Sequence, residues 1–162
     1  MGKQVKSKHP FVTEVQTSRL LELLHIDLMS PARIQSLGEK RYILVIMDDF
    51  TRYTWFVLLR DKVKAPKKMI HLCKKLQVEK GAVIAKIRSD HGREFENTKL
   101  ATFCNDQGTH KEFSSPKTPQ QNGIVELKNK VIQEMAHVML HNKKMPKSFW
   151  EEVVNTACHT LN

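Results

Sequence analysis

Acid is what this chain of 162 residues is short of: Asp plus Glu number 17 against 27 for Lys plus Arg, a formal net charge of +10. A basic excess of that size favours a polyanionic partner, because each neutralised phosphate releases condensed counterions. Cysteine is scarce as well. Cys73, Cys104 and Cys158 are odd in number and form no Cys-x-x-Cys pair, which excludes a disulfide framework and points to free thiols in a reducing compartment. The eight His residues complete no zinc pattern either, so no structural zinc is expected. No apolar run is long enough to cross a bilayer, and the basic, polar stretch Met1 to Pro10 is not a secretory signal, so no membrane partner is expected. The length fits one ordinary domain able to bury its own core.

Among the few acids, three stand in distinctive settings. Asp27 lies in Leu-His-Ile-Asp-Leu, Asp90 in Arg-Ser-Asp-His-Gly-Arg-Glu-Phe, and Glu126 in Gln-Gln-Asn-Gly-Ile-Val-Glu-Leu-Lys-Asn, with 35 residues between the last two. Taken singly, an Asp at a strand end caps a turn and a helical Glu is a solvated charge. Brought together, carboxylates repel and raise one another's pKa, so a converging trio makes sense around a divalent cation. Metal-dependent phosphoryl transfer is the leading expectation.

The hydrophobic pattern places these acids on elements. Leu20 to Met29, Tyr42 to Met47, Tyr53 to Leu59, Val83 to Ile87 and Thr109 to Phe113 read as five strands, the second and third joined as an antiparallel hairpin through Asp48 to Arg52. Asp48 and Asp49 in that link read as turn residues and stay outside the site. Lys64 to Lys80 reads as a helix with Met69, Ile70, Leu72, Cys73, Leu76 and Val78 inward and Gly81 as its stop. Asn97 or Thr98 caps a second helix running to about Asp106, with Leu100, Phe103 and Cys104 inward. Ser114 to Gly123, with two Pro and two Gln, suits a loop. From near Gln121 a third helix carries Ile124, Leu127, Val131, Met135, Val138 and Met139 as its core stripe and sets Glu126, Lys130 and Gln133 on another face. Pro146 suits the first position of a last helix, with Phe149, Trp150, Val153, Val154, Ala157 and Leu161 apolar; that pattern stops at Asn162 as if cut.

A carboxylate inside one strand, a second just beyond another and a third on a helix resembles the ribonuclease-H-like polynucleotidyl transferases. Closer still, the segments Arg19-Leu-Leu-Glu-Leu-Leu-His-Ile-Asp-Leu, Lys40-Arg-Tyr-Ile-Leu-Val-Ile-Met-Asp-Asp-Phe-Thr-Arg-Tyr-Thr-Trp, Arg88-Ser-Asp-His-Gly-Arg-Glu-Phe, Ser115-Pro-Lys-Thr-Pro-Gln-Gln-Asn-Gly and Pro146-Lys-Ser-Phe-Trp-Glu-Glu-Val-Val-Asn-Thr-Ala resemble, in order, the catalytic core of Copia-type retrotransposon integrases. The resemblance implies an α/β fold with a five-stranded mixed sheet flanked by helices on both faces. It implies a basic linker over residues 1–18 and a C-terminally truncated catalytic core over 19–162, without the family's N-terminal zinc module. It further implies two Mg²⁺ ions, or Mn²⁺ as substitute, held by Asp27, Asp90 and Glu126, and an enzyme that trims 3′ ends of element DNA and joins them to target DNA. On the same footing Lys130, Asn122, Gln133, Arg93 and Lys117 become candidate DNA contacts, the partner is DNA, and the assembly is at least a dimer. Such a protein is made in the cytoplasm and acts in the nucleus. His91 and Arg93 depart from the usual Asn and Gly, and Leu127 from a usual Arg; Arg93 either crowds a position that favours φ > 0 or adds a phosphate contact. A non-catalytic DNA-binding remnant and a plain ribonuclease-H-like nuclease remain as alternative readings.

Overall fold

The computed structural model describes residues 17–30, 35–115 and 120–162, excepting the side chains of 120–122. The basic arm over residues 1–16, the middle of the Ser114 to Gly123 loop with Lys117, and the side chain of Asn122 thus lie outside the described residues. The described residues form five strands, β1 (Leu23–Met29), β2 (Tyr42–Asp48), β3 (Thr54–Leu59), β4 (Lys86–Ser89) and β5 (His110–Phe113), and four α-helices, α1 (Ala65–Lys80), α2 (Thr98–Gln107), α3 (Gln120–Asn142) and α4 (Trp150–Leu161), in the order β1-β2-β3-α1-β4-α2-β5-α3-α4. The sheet order is β3-β2-β1-β4-β5. The first three strands pair antiparallel, as short polar links permit. β4 and β5 join in parallel, each reached through a helix, because parallel neighbours require a crossover.

Alternation along the central strands divides the core into two layers. Leu24 and Ile26 of β1 and Leu44 and Ile46 of β2 pack with Met69, Cys73 and Leu76 of α1, Leu100, Phe103 and Cys104 of α2, and Phe95. On the other face Met29, Ile43, Val45 and Met47 pack with Val125, Ile132 and Ala136 of α3 and with Trp150, Val153, Val154, Ala157 and Cys158 of α4. Helices therefore cover both faces of a mixed five-stranded sheet, as the motifs imply. All three cysteines are free and buried, and burial pushes the Cys73 and Cys158 thiols up to about 12. Gly81 ends α1 at φ 59 and Gly108 ends α2 at φ 67, left-handed positions natural to glycine. Asn97 caps α2, its side chain accepting from the backbone of Lys99 and Leu100.

Several boundaries differ from the sequence expectations, each for a local polar reason. β1 begins at Leu23 rather than Leu20, since Leu21 adopts φ 61 and gives its N–H to the Asp48 carboxylate at 2.9 Å. The Glu22 side chain meanwhile accepts from Ser18 and Arg19 and so holds the turn before the strand. β4 starts at Lys86, not Val83, because the Gln77 side chain accepts the Ile84 N–H and Arg19 donates to the Val83 carbonyl. Val78 is 84% exposed and lies outside the core stripe of α1. On α3 the buried seam is Val125, Asn129, Ile132 and Ala136, whereas Leu127 and Val138 are 63% and 56% exposed. An apolar-only reading passes over a buried Asn and a small Ala. Pro146 precedes a 3-10 turn (Lys147–Phe149) instead of opening α4 directly.

Asp48 is fully buried and accepts from Leu21 N, Thr51 N and Thr51 Oγ1 at 2.9, 2.8 and 2.8 Å. Replacing it with Ala strands the buried Leu21 donor and releases the hairpin turn. Asp48→Ala is expected to lower stability by roughly 2–4 kcal/mol in denaturant unfolding; a loss below about 0.5 kcal/mol would show that the carboxylate does not hold this corner.

Candidate active site

The β1–β4 register brings the first two acids together. Leu23 to Ile26 lie opposite Lys86 to Ser89 in parallel. One further step along both strands sets Asp27 beside Asp90, and parallel register turns the two side chains to the same face. β4 ends at Ser89, so Asp90 is the first residue of the exit loop and is exposed. Its Oδ1 accepts the Gly92 N–H at 2.9 Å. A Cβ at Gly92 would come within 2.9 Å of the Glu94 carboxylate and 3.0 Å of Asp90 Oδ1, so a side chain there would displace the Glu94 carboxylate and crowd Asp90. The loop is anchored by fully buried Phe95, whose N–H bonds the Gly92 carbonyl and whose carbonyl accepts from the Lys111 ammonium. His91 stacks on Phe113 with centroids 4.6 Å apart. Arg93 is exposed and has no positive φ, which removes the expectation that it crowds a glycine-like position.

α3 supplies the third acid and a residue the sequence reading passed over. Asn129, buried in the helix seam, donates through Nδ2 to Asp27 Oδ2. Its Oδ1 is buried and has no hydrogen-bond partner among the described residues. Glu126 lies three residues earlier, on the neighbouring surface of the same helix, and is exposed like Lys130 one turn on. The Asp27 carboxyl is pushed above the usual carboxylate range, first by burial, then by the negative charge of Asp90 and further by that of Glu126; the Leu28 N–H and Asn129 oppose the rise. The three acids from β1, the β4 exit and α3 therefore share one electrostatic field.

A second polar row lies one step before the acids on the same face, where His25, Arg88 and Glu112 stand opposite one another across β1, β4 and β5. Arg88 donates through Nε and Nη2 to Glu112 Oε1, both at 2.7 Å, and Lys86 reaches Oε2 at 3.2 Å. Burial alone would raise Glu112, yet these cations hold it below its ordinary value. Burial pushes His25 down despite its 2.7 Å contact with Asp49, so the imidazole is neutral and donates through Nε2. That tautomer leaves Nδ1 as a buried acceptor without a partner among the described residues. Asp49, also bonded by Thr17 and Arg52, and Asp48 serve the hairpin and its surroundings, as turn chemistry suggests.

The remaining candidates disperse. Lys130 and Arg93 are exposed near the acids. Gln133 is half-buried and turns its amide to Met29 Sδ at 3.7 Å, so it faces the sheet. Exposed Leu127 stands next to Glu126. Among the described residues no three His, Cys, Asp or Glu side chains stand close enough together to hold an ion as they are. The donor chemistry nonetheless fits a hard divalent cation: all three candidate ligands are carboxylates, and the mutual repulsion that raises Asp27 is what such a cation relieves. Only the placing of Asn129 three residues after Glu126, a polar residue at core spacing, was available to reveal it beforehand.

The chain matches the family model of the integrase core domain over residues 18–119. It is 34% identical over 143 residues to the Retrovirus-related Pol polyprotein from transposon TNT 1-94 of Nicotiana tabacum, covering 88% of this chain and 11% of that protein. It is 30% identical over 156 residues to the corresponding polyprotein from transposon RE2 of Arabidopsis thaliana, covering 96% and 10%. The chain thus spans about a tenth of the length of these curated relatives. Among solved structures, the simian T-cell lymphotropic virus intasome in complex with PP2A regulatory subunit B56 gamma aligns with a TM-score of 0.66 at 16% identity, over 88% of this chain and 48% of that one. The HTLV-2 integrase catalytic core domain in complex with magnesium aligns at 0.62 and 17%, over 88% and 85%. At those identities the likeness is one of fold.

The field around Asp27 has a measurable consequence. Folded Asp27 keeps its proton to higher pH than the unfolded chain does, so stability falls as pH rises from the ordinary carboxylate value through the raised one. Asp27→Asn is expected to flatten that decline and to be the more stable protein at neutral pH. In carboxyl NMR titration, Asp90→Asn should bring the Asp27 midpoint down; an unmoved midpoint would show that the two acids do not interact.

Proposed function

The chain belongs to the integrase core-domain family, and from that membership we propose that it is a metal-dependent polynucleotidyl transferase, the catalytic core of a Copia-type retrotransposon integrase. The observation that carries the reading is the parallel β1–β4 register, which brings Asp27 beside Asp90, together with the bond from Asn129 of α3, the helix that carries Glu126, to the Asp27 carboxylate; burial first, then the negative charges of Asp90 and Glu126, push that carboxyl up. Asp27, Asp90 and Glu126 would hold Mg²⁺, with Mn²⁺ as substitute. When bound, such cations lower the pKa of an attacking hydroxyl and neutralise charge building on a leaving oxygen.

The chain's own residues supply position and charge. Asn129 fixes the Asp27 carboxylate through Oδ2. The Asp90 turn, tied to Gly92 and seated on Phe95, holds its carboxylate at the strand end. Exposed Lys130, one turn after Glu126 on α3, and exposed Arg93, three residues after Asp90, would take phosphates, with Lys117 and Asn122 as further candidates from the sequence and Gln133 the weakest, since its amide is engaged. With water as nucleophile, attack at phosphorus displaces a 3′ oxygen and trims element DNA; with the resulting 3′ hydroxyl, the same displacement joins that end to a target strand. Neither step requires a covalent protein–DNA bond.

Family relatives also suggest the setting. One solved neighbour is an intasome and another a trimeric form, in keeping with at least a dimer here, acting on DNA in the nucleus.

Disintegration tests the reading with least demand on other parts of a longer polyprotein, because a pre-joined branched DNA already holds the reacting ends together. With Mg²⁺ or Mn²⁺ the parent chain should resolve the branch, and Glu126→Gln should lower the rate more than about a hundredfold. Equal activity in both would place the chemistry elsewhere. No activity in the folded parent, with DNA binding intact, would favour the non-catalytic remnant.

A further inference from the structure

The outer face of α1 carries a charge pattern that the carboxylate site does not use. Ala65, Pro66, Met69, Cys73 and Leu76 are its buried face. Opposite them Lys64, Lys67, Lys68, His71, Lys74 and Lys75 are all exposed and recur at spacings of three and four, with Lys62 on the preceding 3-10 turn. From Lys62 to Val78 the sequence holds six lysines and no acid. The flanking acids are Asp61, whose carboxylate accepts the Val63 N–H, and Glu79, which meets Lys75 at 3.6 Å. Lys74 also lies 6.0 Å over the Phe103 ring.

This arrangement works against the helix that bears it. Lys64 stands at the N-cap and Lys67 and Lys68 follow in the opening turns, where no acid is present. A cation at a helix N-terminus opposes the positive end of the helix dipole, and like charges three or four residues apart repel one another. A polyanion along the stripe would reverse the sign of every one of these terms. From Lys64 to Lys75 the stripe runs about 16 Å, close to half of the roughly 34 Å turn of B-form DNA. α1 covers the sheet face opposite α3, so the stripe is remote from the candidate acids in the fold.

We propose that the outer face of α1 is a second nucleic-acid surface, gripping the phosphate backbone of duplex DNA without reading its sequence. The side chains select this partner. Lysines are flexible point charges that suit phosphates more than base edges. His71 is the one ring in the stripe, which has no Phe, Tyr or Trp on which successive single-stranded bases could stack. The apolar face of α1 is already committed to the core, so the helix has none to offer a lipid surface.

The test is fluorescence anisotropy on a duplex of random sequence across a salt series, without divalent cation, so that it is independent of catalysis. Each phosphate contact contributes about 0.9 to the slope of log K against log salt. Lys67→Gln/Lys68→Gln/Lys74→Gln should flatten that slope by about two to three. Lys143→Gln/Lys144→Gln/Lys147→Gln removes the same charge from three exposed positions between α3 and α4 and should change it by less than one. The α1 variant should melt no lower than the parent, since it loses charges that oppose the helix, which separates loss of contact from loss of fold. An unchanged slope, equal flattening by both triple variants, or a larger loss on single-stranded than on duplex DNA would overturn the proposal.

Discussion

The parallel pairing of β1 with β4 is the constraint on which the rest of the molecule depends. Its register carries Asp27, inside β1, alongside Asp90, just beyond the end of β4, against burial and against their own repulsion. Nothing in the acids themselves favours that meeting. It is imposed by Leu24, Ile26 and Ile87, fully or almost fully buried in the α1/α2 layer, and by the α1 crossover that makes the strands parallel at all. A slip of one residue would turn these side chains out of that layer and part the acids together.

Several unfavourable features of the fold lie along β1 and against it. Leu21 is bulky, buried and left-handed at φ 61 just before β1. Asn129 and His25 each bury a polar atom with no partner among the described residues. Asp27 is half-buried and raised in pKa. The strained backbone and each unpaired buried atom cost on the order of 1–3 kcal/mol, and two well-packed apolar layers offset them. Conflicts between local preference and global fold concentrated in one place mark where a protein is built to act. The α1 stripe is the same kind of conflict, in charge instead of packing.

Much of this was legible in the residues. The five strands, the hairpin, the caps at Asn97 and Gly81 and the two-faced sheet follow from apolar runs and punctuating residues, since those signals are local. Strand ends were less so: Leu20 to Glu22 and Val83 to Ala85 look like strand, and only contacts from distant Asp48, Arg19 and Gln77 divert them. The acidic trio was legible as a motif, and the approach of Asp27 to Asp90 follows only from the β1–β4 register. Asn129 was hidden by an assumption that a helix seam is apolar throughout, which also misplaced Leu127 and Val138. His25 and Arg88 were unreadable because their partners, Asp49 and Glu112, lie 24 residues away in each case.

Broadening of NMR signals on titration with Mn²⁺, free of DNA, tests the central claim most directly, because it reports where a divalent cation settles residue by residue. Signals of Asp27, Asp90, Gly92 and the Asn129 side-chain amide should fade first and together, and recover when Mg²⁺ competes. Broadening that begins at other exposed acids such as Asp61 or Glu79, or that leaves the Asn129 amide sharp, would contradict a single carboxylate site across β1, β4 and α3.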